Sequence, residues 1–150
     1  EDFIKMENIF YSGQVLWSQI DANRHLRHSA YADFAAQARS NLFNHKGLSL
    51  EEFSKYQLGP ILFKETISYF KEIKMDEIVK VSVELTKHHI TKSRFSFRHV
   101  IYKENGLKCA TIEVDGAWMD LEKRKLAIIP AEWKKIFDDM PKSKDFIEIG

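Results

Sequence analysis

Residues 29–47 contain the one long helical pattern of this sequence, and that pattern restricts the fold more than any other feature. Its apolar side chains recur at helical spacing and form a single face: Tyr31, Phe34, Ala35, Ala38 and Leu42. Ser29 is expected to cap the start of this helix, and Gly47 to end it. Because the face carries several alanines, the helix can lie close against a sheet.

The other apolar segments predict strands. A first strand is expected at residues 10–19, and four more follow Gly59, at residues 61–70, 79–85, 95–101 and 108–120. The dipeptide Asn105–Gly106 predicts a hairpin. Short connections of this kind favour antiparallel neighbours. The predicted fold class is therefore α+β, with one long helix packed on a mostly antiparallel sheet.

Two shorter helical segments complete the pattern. The capping-box spacing of Ser49 and Glu52 predicts a short helical turn, and Pro130 suits the first turn of a helix that ends near Phe137. With 150 residues, we expect one domain over residues 1–150, with a core at about 10–137 and a C-terminal tail at 138–150.

Composition excludes several classes of function. A net charge of +1 gives no strong electrostatic attraction for nucleic acid. The sequence also contains no run of about 18 apolar residues, so it predicts no membrane span. The single cysteine, Cys109, allows no intrachain disulfide, which suits a reducing compartment and predicts a cytoplasmic protein. Its strand position favours a buried thiol over a nucleophile. No metal or cofactor is predicted, because zinc-ligand spacing and phosphate-binding glycine motifs are missing from the sequence.

The segment 17–31 carries the polar residues most suited to chemistry. Asp21, Asn23, His25 and His28 lie between a strand end and a helix start, where unpaired N–H groups can stabilise a developing oxyanion. A carboxylate and an imidazole supply a base or nucleophile and an acid. The set fits acyl transfer to water. Taken alone, the same residue types more often form turns and helix caps.

The pattern Asp21-x-Asn23-x-His25, with Tyr31 six residues later, resembles the active-site loop of hotdog-fold thioesterases. It is similar to two branches, the 4-hydroxybenzoyl-CoA thioesterase-like proteins and the plant-type acyl-acyl-carrier-protein thioesterases. The resemblance extends over about residues 10–135, through three further landmarks: Ala38–Arg39, residues 67–79, and Met119–Asp120 with Ile129–Pro130. It implies a hotdog fold, in which a curved antiparallel sheet wraps around one long central helix.

The resemblance also implies roles for individual residues. Asp21 matches the family carboxylate, which acts as nucleophile or general base. Asn23 and His25 match residues that orient the thioester and polarise its carbonyl or activate water. Glu72 aligns with an acidic residue of the same site in the carrier-protein branch.

Weaker assignments complete the implied site. His28 falls where some relatives have a histidine near the carboxylate, and Tyr31 lies near the oxyanion position, with its backbone N–H as the expected donor. Lys92 and Arg94 are weak candidates for contacts with coenzyme A phosphates.

The sequence departs from the family pattern in the same loop. Gln19 replaces a frequent aspartate, Arg24 replaces a frequent glycine, and Gln37 replaces a frequent glutamate. Arg24 adds bulk and charge to a loop that usually has neither. These changes bear on rate and substrate choice more than on the fold.

The expected function is hydrolysis of the thioester that joins an acyl group to coenzyme A or to an acyl-carrier protein, which releases free acid and thiol. Such thioesters are substrates of fatty acid metabolism. A homodimer or dimer of dimers is expected, because strands 79–85 and 108–120 carry apolar residues in need of a partner. Hotdog relatives build each site at the seam between two chains, so the resemblance implies a site that combines Asp21 of one chain with Glu72 or the Lys92–Arg94 hairpin of the other.

Two alternatives remain open. A non-catalytic acyl-thioester-binding hotdog module is compatible with Gln19 and Arg24. A hotdog dehydratase is disfavoured, because the sequence lacks the His-Phe-Pro loop of that branch.

Overall fold

The computed structural model describes residues 6–150, so the first five residues of the predicted domain lie outside it. The elements follow one another as β1 (Ile9–Gln14), α1 (Tyr31–His45), α2 (Leu50–Tyr56), β2 (Leu58–Tyr69), β3 (Ile78–Ser82), β4 (Glu84–His89), β5 (Arg94–Lys103), β6 (Lys108–Asp120), β7 (Lys125–Ala127), α3 (Ala131–Asp138) and β8 (Lys142–Ile149). Two short 3-10 turns, Trp17–Gln19 and His28–Ala30, lie between β1 and α1.

All eight strands belong to one curved sheet, and α1 packs against it. β5 pairs with β3, β4 and β6; β1 pairs with β3, β8 with β4, and both β2 and β7 with β6. The pairs β1–β3, β3–β5, β4–β5 and β6–β7 are antiparallel. The β4–β8 pair is parallel. The structure confirms the predicted α+β class and the hotdog arrangement of one long helix and a mostly antiparallel sheet.

The single strand predicted at residues 79–85 is two strands, β3 and β4. They are separated at Val83, whose N–H donates to the Asn8 carbonyl at 3.0 Å. Both strands pair with β5. The apolar alternation passes through Val83, which is fully buried, so the sequence pattern does not reveal the break.

β1 is shorter than predicted, because it ends at Gln14 instead of residue 19. The Val15 N–H donates to the Glu77 carbonyl, and the chain then leaves the sheet. Trp17, predicted to alternate into the strand, instead lies in a 3-10 turn with 80% of its surface exposed.

The helix ends agree with the sequence in part. Ser29 lies inside the 3-10 turn before α1, so the prediction that it caps this helix was wrong. Gly47 adopts a φ of 90° just after α1, as expected for a residue that ends a helix. The Ser49 hydroxyl accepts a hydrogen bond from the Glu52 N–H, which confirms it as the cap of α2.

The chain divides into two compact units. The first comprises the described residues up to Leu42 together with Thr66–Val83 and His99–Ile112. Its core contains the apolar face of α1 and the inward side chains of β3, including Ala35, Ala38 and Val81. His99 is fully buried in this core.

The second unit comprises Phe43–Glu65, Glu84–Arg98 and Glu113–Gly150. Its core is an aromatic cluster with ring centroids 5.0–6.5 Å apart: Phe43, Phe53, Phe95, Phe97, Trp118, Trp133 and Phe137. Stacked and edge-to-face aromatic pairs add stability beyond their buried area.

The C-terminal segment, which was predicted to be a tail, contains β8. This strand pairs with β4, and its Asp145 accepts two hydrogen bonds from Arg98, at 3.1 and 3.0 Å. No helix within residues 6–150 has the length and apolar character needed to cross a lipid bilayer.

Candidate active site

The loop between β1 and α1 is organised by the side chain of Asp21. Its Oδ1 atom accepts hydrogen bonds from the N–H groups of Asn23, at 2.9 Å, and His25, at 3.3 Å. The Asp21 carbonyl also accepts from the Arg24 N–H, which closes a turn. Asp21 is therefore a turn-forming residue, and these bonds use one of its two carboxylate oxygens.

A second set of contacts joins this loop to residues 72–74. The Leu26 N–H donates to the Ile73 carbonyl at 2.7 Å, and a bridge pairs His25 with Lys74. Ile73 is fully buried and so anchors this segment. As a result, the Nε2 atom of His25 lies 3.0 Å from Oε2 of Glu72.

The His25–Glu72 contact corrects one expectation from the sequence. A composite site in which Glu72 comes from a second chain is not needed, because Glu72 reaches His25 within the same chain. The His25 side chain is 28% exposed and that of Glu72 is 70% exposed. The imidazole is thus partly enclosed, while the carboxylate is open to solvent.

One open cavity of about 370 Å³ brings six predicted site residues together. They are Asp21, Asn23, His25, His28, Tyr31 and Glu72. Leu26, Tyr69, Phe70 and Lys71 complete the lining. These last four residues were not predicted from the sequence, although residues 69–71 lie in the segment 67–79 that carries part of the family resemblance.

Tyr31 forms the buried side of this cavity. Its ring meets that of Tyr69 edge to face, with centroids 4.9 Å apart. Burial raises the pKa of Tyr31 to about 12, and the nearby Cys109, Tyr69, Glu72 and Asp21 add smaller contributions in the same direction. The phenol therefore stays protonated at neutral pH and is a hydrogen-bond donor rather than a base.

The start of the helical segment differs from the expected oxyanion site. The Tyr31 N–H, predicted to be a donor to the oxyanion, already donates to the His28 carbonyl. The Ala30 N–H likewise donates to the Arg27 carbonyl. The 3-10 turn runs directly into α1, so the first N–H groups of the continuous helical segment are those of His28 and Ser29.

The structure does not place Lys92 and Arg94 in this cavity. Arg94 lines a separate cavity of about 510 Å³ in the second unit, together with Lys64, Lys87 and His89. Its guanidinium lies 5.3 Å from the ring centroid of Phe63. Lys92 is exposed in the turn between β4 and β5.

In the part of the chain that the structure describes, no group of three or more His, Cys, Asp or Glu side chains is placed to hold a metal ion. Cys109, the single cysteine, is buried, and burial raises the pKa of its thiol. The groups that the described cavity offers for chemistry are two carboxylates, Asp21 and Glu72, two imidazoles, His25 and His28, and the N–H groups at the start of the helical segment.

Comparison with known families decides the assignment. The Thioesterase-like superfamily matches residues 15–137, a span that includes the whole loop and Glu72. The chain belongs to this superfamily. It is accordingly a thioesterase, an enzyme of the class that hydrolyses thioesters.

Individual relatives agree with this assignment. An acyl-CoA thioester hydrolase of Escherichia coli, YbgC, is 23% identical over 94 residues, which are 63% of this chain and 69% of that protein. A Staphylococcus aureus protein solved in complex with CoA has a TM-score of 0.82 at 18% identity, covering 98% of this chain and 91% of that one. A 1,4-dihydroxy-2-naphthoyl-CoA thioesterase from Synechocystis has a TM-score of 0.76 at 20% identity, covering 86% and 94%. The two structures share the fold of this thioesterase.

Proposed function

We propose that this thioesterase hydrolyses an acyl-CoA, with Asp21 as the group that attacks the thioester or activates water. The observation that carries the proposal is the convergence of Asp21, the His25–Glu72 pair and the start of a helical segment on one cavity. A carboxylate, an oriented imidazole and N–H donors are the groups that acyl transfer to water requires.

Asp21 has a free oxygen for this role. Oδ1 holds the loop through the Asn23 and His25 N–H groups, which leaves Oδ2 for the substrate. As general base, Oδ2 takes a proton from water, the hydroxyl adds to the carbonyl carbon, the C–S bond breaks, and the proton passes to the thiolate. As nucleophile, Oδ2 adds to the carbonyl carbon, the C–S bond breaks and the thiolate leaves. Water then hydrolyses the resulting anhydride, which restores the Asp21 carboxylate, and the proton released from water passes to the thiolate.

In this proposal Glu72 positions His25. The carboxylate accepts a hydrogen bond from Nε2, which fixes the orientation of the ring and leaves Nδ1 as its second polar atom. His25 and Asn23 then orient and polarise the thioester. The N–H groups of His28 and Ser29 replace that of Tyr31 as the proposed donors to the oxyanion.

Coenzyme A is the proposed carrier of the acyl group. The E. coli relative is named an acyl-CoA thioester hydrolase, and the S. aureus structure contains CoA. The cavity of Arg94, Lys64 and Lys87 supplies the cations that phosphates bind, and exposed Lys92 lies in the preceding turn. An acyl-carrier protein is the alternative carrier. The free thiol of Cys109 supports a cytoplasmic location within the same proposal.

We also propose that two copies associate through β2, with a dimer of dimers as the larger alternative. The strands first expected to need a partner, β3–β4 and β6, are interior to the sheet. Among the described strands β2 pairs with β6 alone. Large apolar side chains are exposed in its middle, at its last residue and just beyond it: Leu62, Phe63, Tyr69 and Phe70. A long apolar edge strand is a template for pairing with another chain.

The experiment that tests the proposed function is a panel of acyl-CoAs of graded chain length, with aryl-CoAs included, and release of free CoA thiol as the readout. Turnover of at least one member of the panel is the expected result. Binding of these acyl-CoAs without release of thiol from any of them would contradict the proposal.

A further inference from the structure

A second cavity adjoins the candidate active site. It has a volume of about 480 Å³, and Asp21 lines it as well as the first cavity. Its remaining wall is apolar except at two positions, Ser18 and the cation Arg24. Trp17 is 80% exposed and Met75 is 42% exposed, so both present apolar surface beside the carboxylate of Asp21.

Arg24 occupies an unusual backbone position in this wall. Its φ of 68° lies in the left-handed region, which costs free energy for any residue with a Cβ atom and which glycine adopts freely. The turn closed by the Arg24 N–H and the Asp21 carbonyl holds it there. Strain of this kind is concentrated at binding and catalytic sites.

The Arg24 guanidinium is also without a partner within residues 6–150: no hydrogen bond or ion pair joins it to another described side chain. The nearby Arg27, in contrast, donates to the Ser29 hydroxyl and to the Ser18 carbonyl. An exposed cation without a partner among the described residues therefore lies in the wall of a cavity whose apolar side chains are Trp17, Ile20 and Met75. It is three residues along the chain from the proposed reacting carboxylate of Asp21.

Resting on the proposed thioester hydrolysis, we infer that this second cavity binds the acyl group, and that Arg24 pairs with a carboxylate at the far end of the acyl chain. The substrate class is then a monothioester of a dicarboxylic acid. Trp17 and Met75 would cover the methylene groups of the chain, and the guanidinium fork matches a carboxylate in geometry and charge.

The sign of the charges sets the direction of binding. Asp21 repels the substrate carboxylate and Arg24 attracts it, so the anionic end points away from the reacting centre and the thioester carbonyl points toward it. An uncharged acyl chain gains only the apolar contacts, because it offers no charged partner to the exposed Arg24 guanidinium.

The test compares adipyl-CoA with hexanoyl-CoA, whose acyl chains have equal length and differ by the terminal carboxylate. We expect wild-type kcat/KM to be higher for adipyl-CoA, and Arg24→Gly to lower the adipyl-to-hexanoyl ratio about tenfold or more, as expected for a lost charged hydrogen bond. Arg124→Gly is the matched control, since Arg124 is also left-handed, with a φ of 57°, and lines neither cavity. Its ratio should equal that of the wild type.

An equal loss of kcat/KM on both substrates in Arg24→Gly would overturn the inference, because it would assign Arg24 to the phosphates that all CoA thioesters share. An unchanged ratio would overturn it as well. Both results leave the proposed hydrolysis intact.

A binding measurement separates this inference from the proposed function. The probes are ketone analogues of adipyl-CoA and hexanoyl-CoA, in which a methylene group replaces the thioester sulfur and prevents hydrolysis. Trp17 fluorescence reports binding, since Trp118 and Trp133 are fully buried, and Trp17→Phe checks the origin of the signal. Tighter binding of the adipyl analogue, lost in Arg24→Gly, supports the subsite even if the panel shows no turnover. Equal affinity for the two analogues refutes it.

Discussion

Acidification is expected to destabilise the fold through His99. This side chain is fully buried on β5, and it lies between two fixed partners. The Arg39 Nη1 group donates to Nε2 at 2.9 Å, and Nδ1–H donates to the Ser82 carbonyl at 3.1 Å. The arrangement therefore requires a neutral imidazole with its proton on Nδ1. Protonation of Nε2 would place a second cation against the guanidinium.

The size of the effect follows from the pKa of His99. Burial, followed by the charge of Arg39, lowers this pKa from 6.5 to about 3, against a smaller opposing contribution from the bond to the Ser82 carbonyl. Below pH 6.5 the unfolded chain binds a proton that the folded chain does not. The free energy of unfolding therefore has its full value, as far as His99 is concerned, above pH 6.5, and it decreases as the pH falls from 6.5 toward 3. One pKa unit corresponds to about 1.36 kcal/mol. The titration of His99 alone should therefore lower the free energy of unfolding by about 2 kcal/mol between pH 7.5 and pH 5.

Urea denaturation at a series of pH values measures this loss directly. The control is His99→Gln, which cannot titrate, so the difference in slope between the two proteins isolates His99 from other groups such as His88, whose pKa burial also lowers. Should both proteins show the same pH dependence, the reasoning is refuted. The ¹⁵N signals of the His99 ring give a second check that does not need the variant to fold: they should not titrate above pH 5 and should show the Nδ1–H tautomer.

Two further predictions concern the site and the assembly. His25→Ala and Glu72→Gln should each lower turnover with the fold retained; if Glu72→Gln is neutral while Asp21→Asn is severely impaired, Glu72 has no positioning role and the site works with one carboxylate. The protein should sediment as a dimer at low concentration, and Leu62→Lys on β2 should shift it toward monomer. Leu126→Lys on β7, where the side chain is 51% exposed against 42% for Leu62, is the matched control, and a stable, fully active wild-type monomer would contradict the proposed assembly.

The sequence predicted those helices and strands whose apolar side chains recur with a regular period and are buried in the structure. The faces of α1 and β3 have this property, and both were found. β8 was missed because its contribution is backbone pairing with β4, while Ser143 is its one buried side chain. The exposure of Trp17 was missed for a related reason: the alternation continues past Gln14, but the chain leaves the sheet there.

The site was predicted mainly from its family resemblance. Residue chemistry alone favoured a turn role for Asp21, and the structure shows that Oδ1 does form the turn. The pairing of His25 with Glu72 depends on the buried anchor Ile73, which spacing along the chain does not reveal. The cavity beside Arg24 and Trp17 also depends on three-dimensional exposure, and in the sequence Arg24 is visible only as a departure from the family pattern.

The central claim, that Asp21 supplies the catalytic carboxylate, is tested most directly by thiol release from the best acyl-CoA substrate in Asp21→Asn. The Asn side chain keeps the oxygen that accepts from the Asn23 and His25 N–H groups, so the loop should stay folded while the charge is lost. Asp33→Asn, which removes an exposed carboxylate of α1 outside the cavity, is the control and should match the wild type. We expect kcat to fall by about 10²–10⁴-fold in Asp21→Asn; a folded variant with near-wild-type kcat would contradict the account.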